Sequence, residues 1–220
     1  MEIYQRLLDH FGPQHWWPAE TPFEVLVGAV LVQNTAWSNV EKVMAALREE
    51  GIRTVAELDR LAEEELHELI RPVGYYRIKG RRLKNLLSYV MRRHDGSLDT
   101  MFQTPLERLR QELLAINGIG PETADSILLY AGNLPTFVVD AYTFRVFARH
   151  RWVAPDTDYH EMKSLFEDAL ERDAALYNEY HALLVRVGKD YCNKRRPKCQ
   201  GCPLEDLLPE GGPAEPADAA

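Results

Sequence analysis

Three cysteines stand close together near the end of the 220-residue chain. Cys192, Cys199 and Cys202 follow the spacing Cys-x6-Cys-x2-Cys. An odd, clustered set does not suit a secreted disulfide framework, because every bridge needs two partners. Thiolates at short intervals are instead typical ligands of metals and iron-sulfur clusters. The spacing therefore predicts a metal or iron-sulfur site.

A glycine-rich turn is the second chemical feature. The segment 113–131 reads LLAINGIGPETADSILLYA, in which Gly118, Ile119 and Gly120 separate two apolar helices and Pro121 takes a first helical position. Glycine allows positive φ and a close approach to a ligand, and the N–H groups at a helix start bind anions. A contact with phosphate is one interpretation; a plain helical turn is the more frequent explanation of Gly-x-Gly alone.

Asp140 is the third feature, since it follows an apolar run and precedes a helical segment. As a helix N-cap, its carboxylate would accept hydrogen bonds from the first turn and contribute about 1 kcal/mol. As a catalytic group, it would stabilise developing positive charge or orient an attacking water. Both interpretations can hold, because a capping aspartate stays ionised.

The charge distribution favours nucleic acid although the formal net charge is -8. A DNA-binding protein needs a basic surface to displace counterions from phosphates. Residues 71–94 contain eight Lys or Arg and no Asp or Glu, and a second basic run covers 189–198. Such runs can be solvated helix faces. Two of them beside a glycine turn favour a DNA contact.

Helical periodicity dominates, and strand signals are almost absent, so we predict an all-α protein with short Gly- and Pro-containing connections. No apolar stretch is long enough to cross a membrane, and the first residues do not resemble a secretory signal. We therefore expect a soluble, cytoplasmic, nucleoid-associated monomer. The helical segments are 23–49, 55–61, 64–70, 80–93, 105–116, 121–131, 142–150, 159–169 and 174–187.

The hairpin followed by Asp140 resembles the signature of helix-hairpin-helix DNA glycosylases related to endonuclease III. FEVLVGAVLVQNTAWSNVEKV resembles their first barrel helix, and RPVGYYRIKGRRLKNL resembles the loop and helix that penetrate DNA. The resemblance implies a six-helix barrel lobe, a second helical lobe built from both termini with an iron-sulfur-type loop, and a base pocket and aspartate between them. It implies these boundaries: a barrel at 23–132 with the hairpin at 113–131, a second lobe at 1–22 and 133–208, and a disordered tail at 209–220.

Two departures from relatives select a branch within this superfamily. Bifunctional members carry a lysine after the hairpin that attacks the sugar and forms a Schiff base, and this chain has Glu122 there. Adenine glycosylases carry a catalytic glutamate four residues before the glutamine of the first barrel helix, and this chain has Ala29 before Gln33. The monofunctional 3-methyladenine branch resembles the chain better, because it shares the hairpin pattern GI-G-x-E-[ST]-AD, the QNT helix and an N-terminal Trp-Trp-Pro.

The same resemblance implies a base pocket with Trp16 and Trp37 as walls, Trp17 and Pro18 shaping it, and Lys189 at its rim. Alkylation makes a base cationic, and an aromatic face holds a cation by about 0.5–2 kcal/mol. A single tryptophan on an amphipathic helix is more often a core residue. A solvated lysine is likewise the default interpretation of Lys189.

The resemblance also assigns DNA contacts. Gln33 fills the gap left by the flipped nucleotide and Tyr75 wedges the opposite strand, a step needed because the glycosidic bond is out of reach inside the stack. The commoner wedge is leucine, so Tyr75 can equally be a surface residue. Gripping of the DNA backbone falls to Gly118, Ile119, Gly120, Glu122 and Thr123.

The cysteine spacing resembles the first three ligands of the endonuclease III cluster, but the fourth position is Leu208. Water, Asp206 or Glu205 could complete the cluster, a three-iron form could bind, or the metal could have been lost. Three ligands at the right intervals favour a bound cluster.

We therefore predict a monofunctional DNA glycosylase that hydrolyses the N-glycosidic bond of alkylated bases of the 3-methyladenine type in double-stranded DNA, without lysine-dependent lyase activity. The alternatives are an endonuclease III-like glycosylase for oxidised or mispaired bases and a damage-binding protein without chemistry.

Overall fold

The computed structural model describes residues 1–16 and 19–214. Within these residues there is no β-strand, which confirms the all-α prediction. The helices are α1 (Glu2–Phe11), α2 (Pro22–Leu31), α3 (Trp37–Glu49), α4 (Val55–Arg60), α5 (Glu63–Ile70), α6 (Tyr76–His94), α7 (Leu98–Phe102), α8 (Leu106–Leu114), α9 (Pro121–Ser126), α10 (Ala141–Arg149), α11 (Tyr159–Ala169) and α12 (Ala174–Asp190). None of the helices in the described part of the chain combines the length and apolar composition that a membrane crossing requires.

The chain divides into two compact units. The first joins Met1–Trp16 with Pro135–Ala220, and the second is Trp17–Leu134. The predicted boundaries between the two lobes, at 22/23 and 132/133, lie a few residues from the borders of these units. Each unit has its own apolar core, and each is described by itself.

Helix α2 is the centre of the second unit's core. All of its residues from Phe23 to Leu31 are buried, as expected of a helix that is apolar on every side. Its start is well defined, because the Thr21 hydroxyl accepts a hydrogen bond from the Glu24 backbone N–H at 3.2 Å. The buried Glu24 carboxylate is satisfied by two donors of Arg48, at 2.6 and 2.8 Å.

The prediction of one continuous helical segment over 23–49 is wrong. Helix α2 ends at Leu31, and α3 begins at Trp37. Asn34 lies in the connecting turn with φ 55°, a left-handed conformation that asparagine tolerates better than most residues. Gln33 therefore lies in a turn at the end of α2 rather than inside a helix.

The glycine turn of 113–131 joins two helices, as predicted. Helix α8 ends at Leu114, and α9 begins at Pro121, with Gly120 as its N-cap. After Ser126 the second helix continues as one π-helical turn, Ile127–Ala131.

The first unit is built on aromatic packing between helices. The rings of Phe137 and Phe166 stack with centroids 3.9 Å apart, and Tyr177 and Tyr180 meet Phe137 edge-on. Helix α12 packs against both α1 and α10. This packing fixes α10, which begins immediately after Asp140.

The disorder predicted for the tail, residues 209–220, stays a prediction. Its residues up to Ala214 are described, and the Ala214 backbone N–H donates to the Arg149 carbonyl at 2.9 Å. Residues 215–220 lie outside the described residues.

Candidate active site and nucleic-acid interface

Asp140 is the N-cap of α10, so the capping interpretation is confirmed. Its Oδ1 accepts hydrogen bonds from the Thr143 backbone N–H at 2.8 Å and from the Thr143 hydroxyl at 3.0 Å. The side chain is 13% exposed, so the carboxylate is nearly buried but not closed off.

A histidine that the sequence argument missed completes the surroundings of Asp140. His181 on α12 places Nε2 3.6 Å from Asp140 Oδ2. Burial by itself would raise the pKa of Asp140, but the opposite charge of His181 and the hydrogen bonds from His181 and Thr143 outweigh burial and hold that pKa below its ordinary value of 3.8. The carboxylate is therefore ionised at neutral pH.

Trp16 lies next to this pair. Its ring centroid is 5.5 Å from that of His181, with the planes tilted by 38°. The chain leading to it is held by Glu179, whose carboxylate accepts from the backbone N–H groups of Gln14 and His15. The first unit thus brings Trp16, His181 and Asp140 together.

Lys189 and Trp37 are the other predicted pocket residues that the structure describes. Trp17 and Pro18 lie outside the described residues. Lys189 is exposed in the last turn of α12, where a cation favours the helix dipole. Trp37, in the second unit, packs over Gly28 of α2: a Cβ added there would stand 3.2 Å from the indole ring.

The hairpin turn depends on Gly118. Its φ is +96°, and an added Cβ would overlap Arg82 Cγ, so both the backbone and the crossing arginine stem require glycine. Ile119 and the Thr123 side chain are buried, whereas Gly120 and Glu122 are exposed. Backbone groups and Glu122, rather than the side chains of Ile119 and Thr123, are therefore available on the surface of the turn.

Gln33 is fixed by two polar neighbours. Its amide Nε2 donates to the Thr123 hydroxyl at 2.8 Å, and its Oε1 accepts from the Arg82 guanidinium. Since Arg82 also crosses Gly118, one arginine connects Gln33 to the hairpin turn. The structure brings together three residues that were predicted as separate DNA contacts: Gln33, Gly118 and Thr123.

Tyr75 stands out from the surface. Its side chain is 74% exposed, and as the N-cap of α6 it adopts a left-handed φ of 45°, which is uncommon for an aromatic residue. An exposed aromatic side chain at the tip of a basic segment can stack on a base.

The three cysteines line one small cavity in the first unit, with a volume of about 20 Å³. Helix α10 supports the loop that holds them: Arg149 Nη1 lies 3.3 Å from Cys192 Sγ and 2.7 Å from the Asn193 carbonyl. Leu208, at the fourth ligand position, lines the same cavity and offers no donor atom.

These thiols do not form a metal site as they stand. Among residues 1–16 and 19–214, no group of three or more His, Cys, Asp or Glu side chains is arranged to hold a metal ion. Burial raises the pKa of the Cys199 thiol, and that of Cys202 to about 11. The three predicted ligands line one cavity, and their side chains would have to turn toward a common centre to bind a cluster.

Sequence comparison assigns this arrangement to a family. The family model described as "HhH-GPD superfamily base excision DNA repair protein" matches residues 27–172. The chain belongs to this superfamily. This HhH-GPD protein is 45% identical over 208 residues to a Methanocaldococcus jannaschii protein that carries the name of a DNA repair glycosylase, with 94% of each chain covered. It is 29% identical to the endonuclease III of Thermotoga maritima, over 93% of this chain and 90% of that one.

Similar solved structures support the same family assignment. A non-covalent endonuclease III–DNA complex has a TM-score of 0.82 at 26% identity, covering 96% of this chain and 94% of that one. The H. pylori 3-methyladenine DNA glycosylase bound to 1,N6-ethenoadenine has a TM-score of 0.74 at 31% identity, covering 86% of this chain and 96% of that one. The HhH-GPD protein is therefore a DNA base-excision repair glycosylase with the endonuclease III-like helical fold, and its nucleic-acid partner is DNA.

Proposed function

We propose that this glycosylase is monofunctional and hydrolyses the N-glycosidic bond of alkylated purines of the 3-methyladenine type. The observation that carries the proposal is a carboxylate centre combined with a hairpin that lacks the reactive amine. Asp140 is ionised and nearly buried, and the hairpin segment 113–131 contains no lysine, with Glu122 exposed at the position of the amine. A glutamate cannot form a Schiff base with the sugar.

The role of Asp140 in this proposal is to stabilise the positive charge that develops on the sugar. As the glycosidic bond lengthens, the sugar gains oxocarbenium character, and a fixed carboxylate stabilises that charge without having to reorganise. The Thr143 hydrogen bonds to Oδ1 hold the side chain in one orientation, and His181 faces Oδ2. The same carboxylate then orients the water that attacks the sugar carbon.

A cationic base suits such a centre. Purine nucleotides alkylated at N3, as in 3-methyladenine, carry a positive charge, and the base leaves with little acid assistance, so a site without a strong general acid is sufficient. Trp16, which lies against His181, offers an aromatic face that attracts the cationic ring. The 31% identity to a 3-methyladenine DNA glycosylase supports this choice of base.

The second unit supplies the proposed DNA contacts. Backbone groups of the Gly118–Gly120 turn bind phosphate without reading sequence. Tyr75 wedges into the base stack, and Gln33, which Thr123 and Arg82 hold in place, fills the gap left by the flipped nucleotide.

A panel of lesion duplexes tests the proposal. Matched duplexes carry a methylated purine, an oxidised pyrimidine, a mispair or no lesion, and free base is measured by chromatography after single-turnover incubation. We expect release from the methylated duplex only. Release from the oxidised or mispaired duplex alone would favour the endonuclease III-like alternative. Binding without release from any duplex would favour the damage-binding alternative.

We further propose that Cys192, Cys199 and Cys202 hold an iron-sulfur cluster. Their spacing and their common cavity support it. A bound cluster would cross-link the basic loop, and binding would displace the thiol protons. Protein purified without oxygen should contain about three or four irons and absorb at about 400 nm, and Cys199→Ser should lose both signals. Iron-free protein with full activity and an unchanged Tm would contradict this proposal.

A further inference from the structure

Lys79 on α6 is a buried lysine without an acidic partner. Its side chain is 3% exposed, and among the described residues no carboxylate lies within ion-pair distance of its ammonium group. Nζ instead donates to the Leu31 carbonyl at 2.9 Å and to the Val73 carbonyl at 2.8 Å. Burial and the nearby charge of Arg82 lower its pKa. Lysine is seldom fully buried, so the burial of Lys79 requires a physical explanation.

The two carbonyls belong to the segments that present the proposed DNA contacts. Leu31 ends α2, two residues before Gln33, and Val73 ends the 3-10 turn Arg71–Val73, two residues before Tyr75. The last carbonyls of a helix have no intrahelical donor. The ammonium group of Lys79 donates to one such carbonyl at the end of α2 and to another at the end of the 3-10 turn. The Lys79 backbone N–H also donates to the Tyr75 carbonyl at 3.0 Å. One residue thus bonds to both segments.

An apolar side chain of similar length would fill the same space. It would leave the Leu31 and Val73 carbonyls without the donor that Nζ supplies, so packing alone does not account for an ammonium group here. What an apolar group cannot do is hold two carbonyls at a fixed separation.

We propose that Lys79 is a positioning residue that fixes the distance between Gln33 and Tyr75, so that one can enter the gap while the other wedges the stack. The inference rests on the DNA-contact roles proposed above for these two residues. Lys79 itself touches no DNA, because its ammonium group is enclosed by protein.

Lys84 provides a matched control on the same helix. Its Nζ also donates to two carbonyls, those of Asp59 at 2.5 Å and Leu61 at 2.7 Å. These carbonyls lie at the end of α4 and in the connection to α5, neither of which has a proposed DNA contact. Lys84→Met therefore removes the same kind of bond without disturbing the separation of Gln33 and Tyr75.

The test compares Lys79→Met and Lys84→Met with wild-type full-length protein, well below each Tm. Dissociation constants are measured for a duplex with a tetrahydrofuran abasic analogue and for the undamaged duplex. A 2-aminopurine opposite the analogue reports unstacking at saturation. We expect the ratio of the Kd for the undamaged duplex to the Kd for the analogue to fall by roughly 5- to 100-fold in Lys79→Met, the range for the loss of one base-stacking contact. The 2-aminopurine signal should be reduced as well. In Lys84→Met the same ratio should stay within about twofold of wild type, because the loss of one charge from the basic segment weakens binding to both duplexes alike.

A merely structural role would lower Tm in both variants and leave the ratio and the fluorescence of the bound state unchanged, which would overturn the inference while the glycosylase function stands. A wild-type protein that neither releases base nor prefers the analogue would overturn the proposed function and the inference with it. If Lys79→Met does not fold, Lys79→Gln, which keeps an N–H donor without the charge, replaces it. An unchanged ratio in that variant, together with faster hydrogen exchange in residues 71–76, would also overturn the inference.

Discussion

Replacing Asp140 by asparagine separates its two roles. Asparagine and aspartate are equally good N-caps, so the amide oxygen introduced by Asp140→Asn can still accept from Thr143, whose donors lie at 2.8 and 3.0 Å in the wild type. The variant loses only the negative charge, which lies 3.6 Å from His181 Nε2 and which we propose faces the developing sugar cation.

The magnitudes follow from these contacts. Removing one electrostatic stabiliser of a transition state costs about 2.7–4 kcal/mol, or roughly 10²- to 10³-fold in kcat. The kept cap limits the loss of unfolding free energy to below about 1 kcal/mol, or a Tm change of about 2–4 °C at this chain length. Asp140→Ala should lose the cap as well, and so lower both rate and Tm.

The assay is single-turnover base release from the methylated duplex, with Kd and Tm measured on the same preparations. Asp158→Asn is the matched control, because Asp158 caps α11 by accepting from the His160 and Glu161 N–H groups at 2.7 and 2.9 Å; it should keep the wild-type rate. DNA binding by Asp140→Asn should stay within about threefold of wild type, because the charge acts on the transition state. A rate loss no larger than the loss of binding or of folded protein would refute the catalytic role.

The pH dependence of stability provides a second test with the same variant. Because folding lowers the pKa of Asp140 below 3.8, its ionised form adds stability above that pH, and this contribution is lost as pH falls through the lowered folded value. The Tm of the wild type should therefore be higher than that of Asp140→Asn at neutral pH. The difference between the two Tm values should shrink toward zero in strong acid.

Two further substitutions test the DNA contacts. Gly118→Ala forces a side chain into positive φ and against Arg82, so it should cost about 1–3 kcal/mol and weaken binding to damaged and undamaged duplexes alike. Gly120→Ala has open space around the added Cβ and loses only the preference of an N-cap for glycine over alanine, so its Tm should fall less; equal melting temperatures for the two variants would contradict this. Tyr75→Ala should leave Tm unchanged, since the ring is 74% exposed, but should weaken binding to the tetrahydrofuran duplex by roughly fivefold or more through lost stacking; unchanged affinity in a filter-binding titration would show that Tyr75 is only a surface residue.

Much of the fold was predictable because amphipathic helices are recognisable from the spacing of their apolar residues. The segment predicted at 159–169 is found as α11 over those residues. The prediction failed at residues 32–36, where apolar spacing continues through a turn and hides the break between α2 and α3. Helices α1 and α7 were missed because one is rich in charges and the other is a single short turn.

The candidate site was predictable only in part. Asp140 was found because it precedes a helix, but His181 was not, since a histidine within an apolar helix reads as a core residue and its approach to Asp140 arises from the packing of α10 on α12. Arg82 and Lys79 looked like members of a solvated basic face. Their real partners are Gln33 and two backbone carbonyls, contacts that no local pattern indicates.

The most direct test of the proposed monofunctional hydrolysis is the mass of the DNA product. A duplex with a single methylated purine is incubated with enzyme, with and without sodium borohydride, and the products are analysed by mass spectrometry before any alkali treatment. We predict an intact strand that carries a hydrolysed abasic sugar, with no protein–DNA adduct under borohydride, because Glu122 stands where bifunctional relatives carry the reactive lysine. A strand cut by elimination, or an abundant trapped adduct, would contradict monofunctional hydrolysis at Asp140.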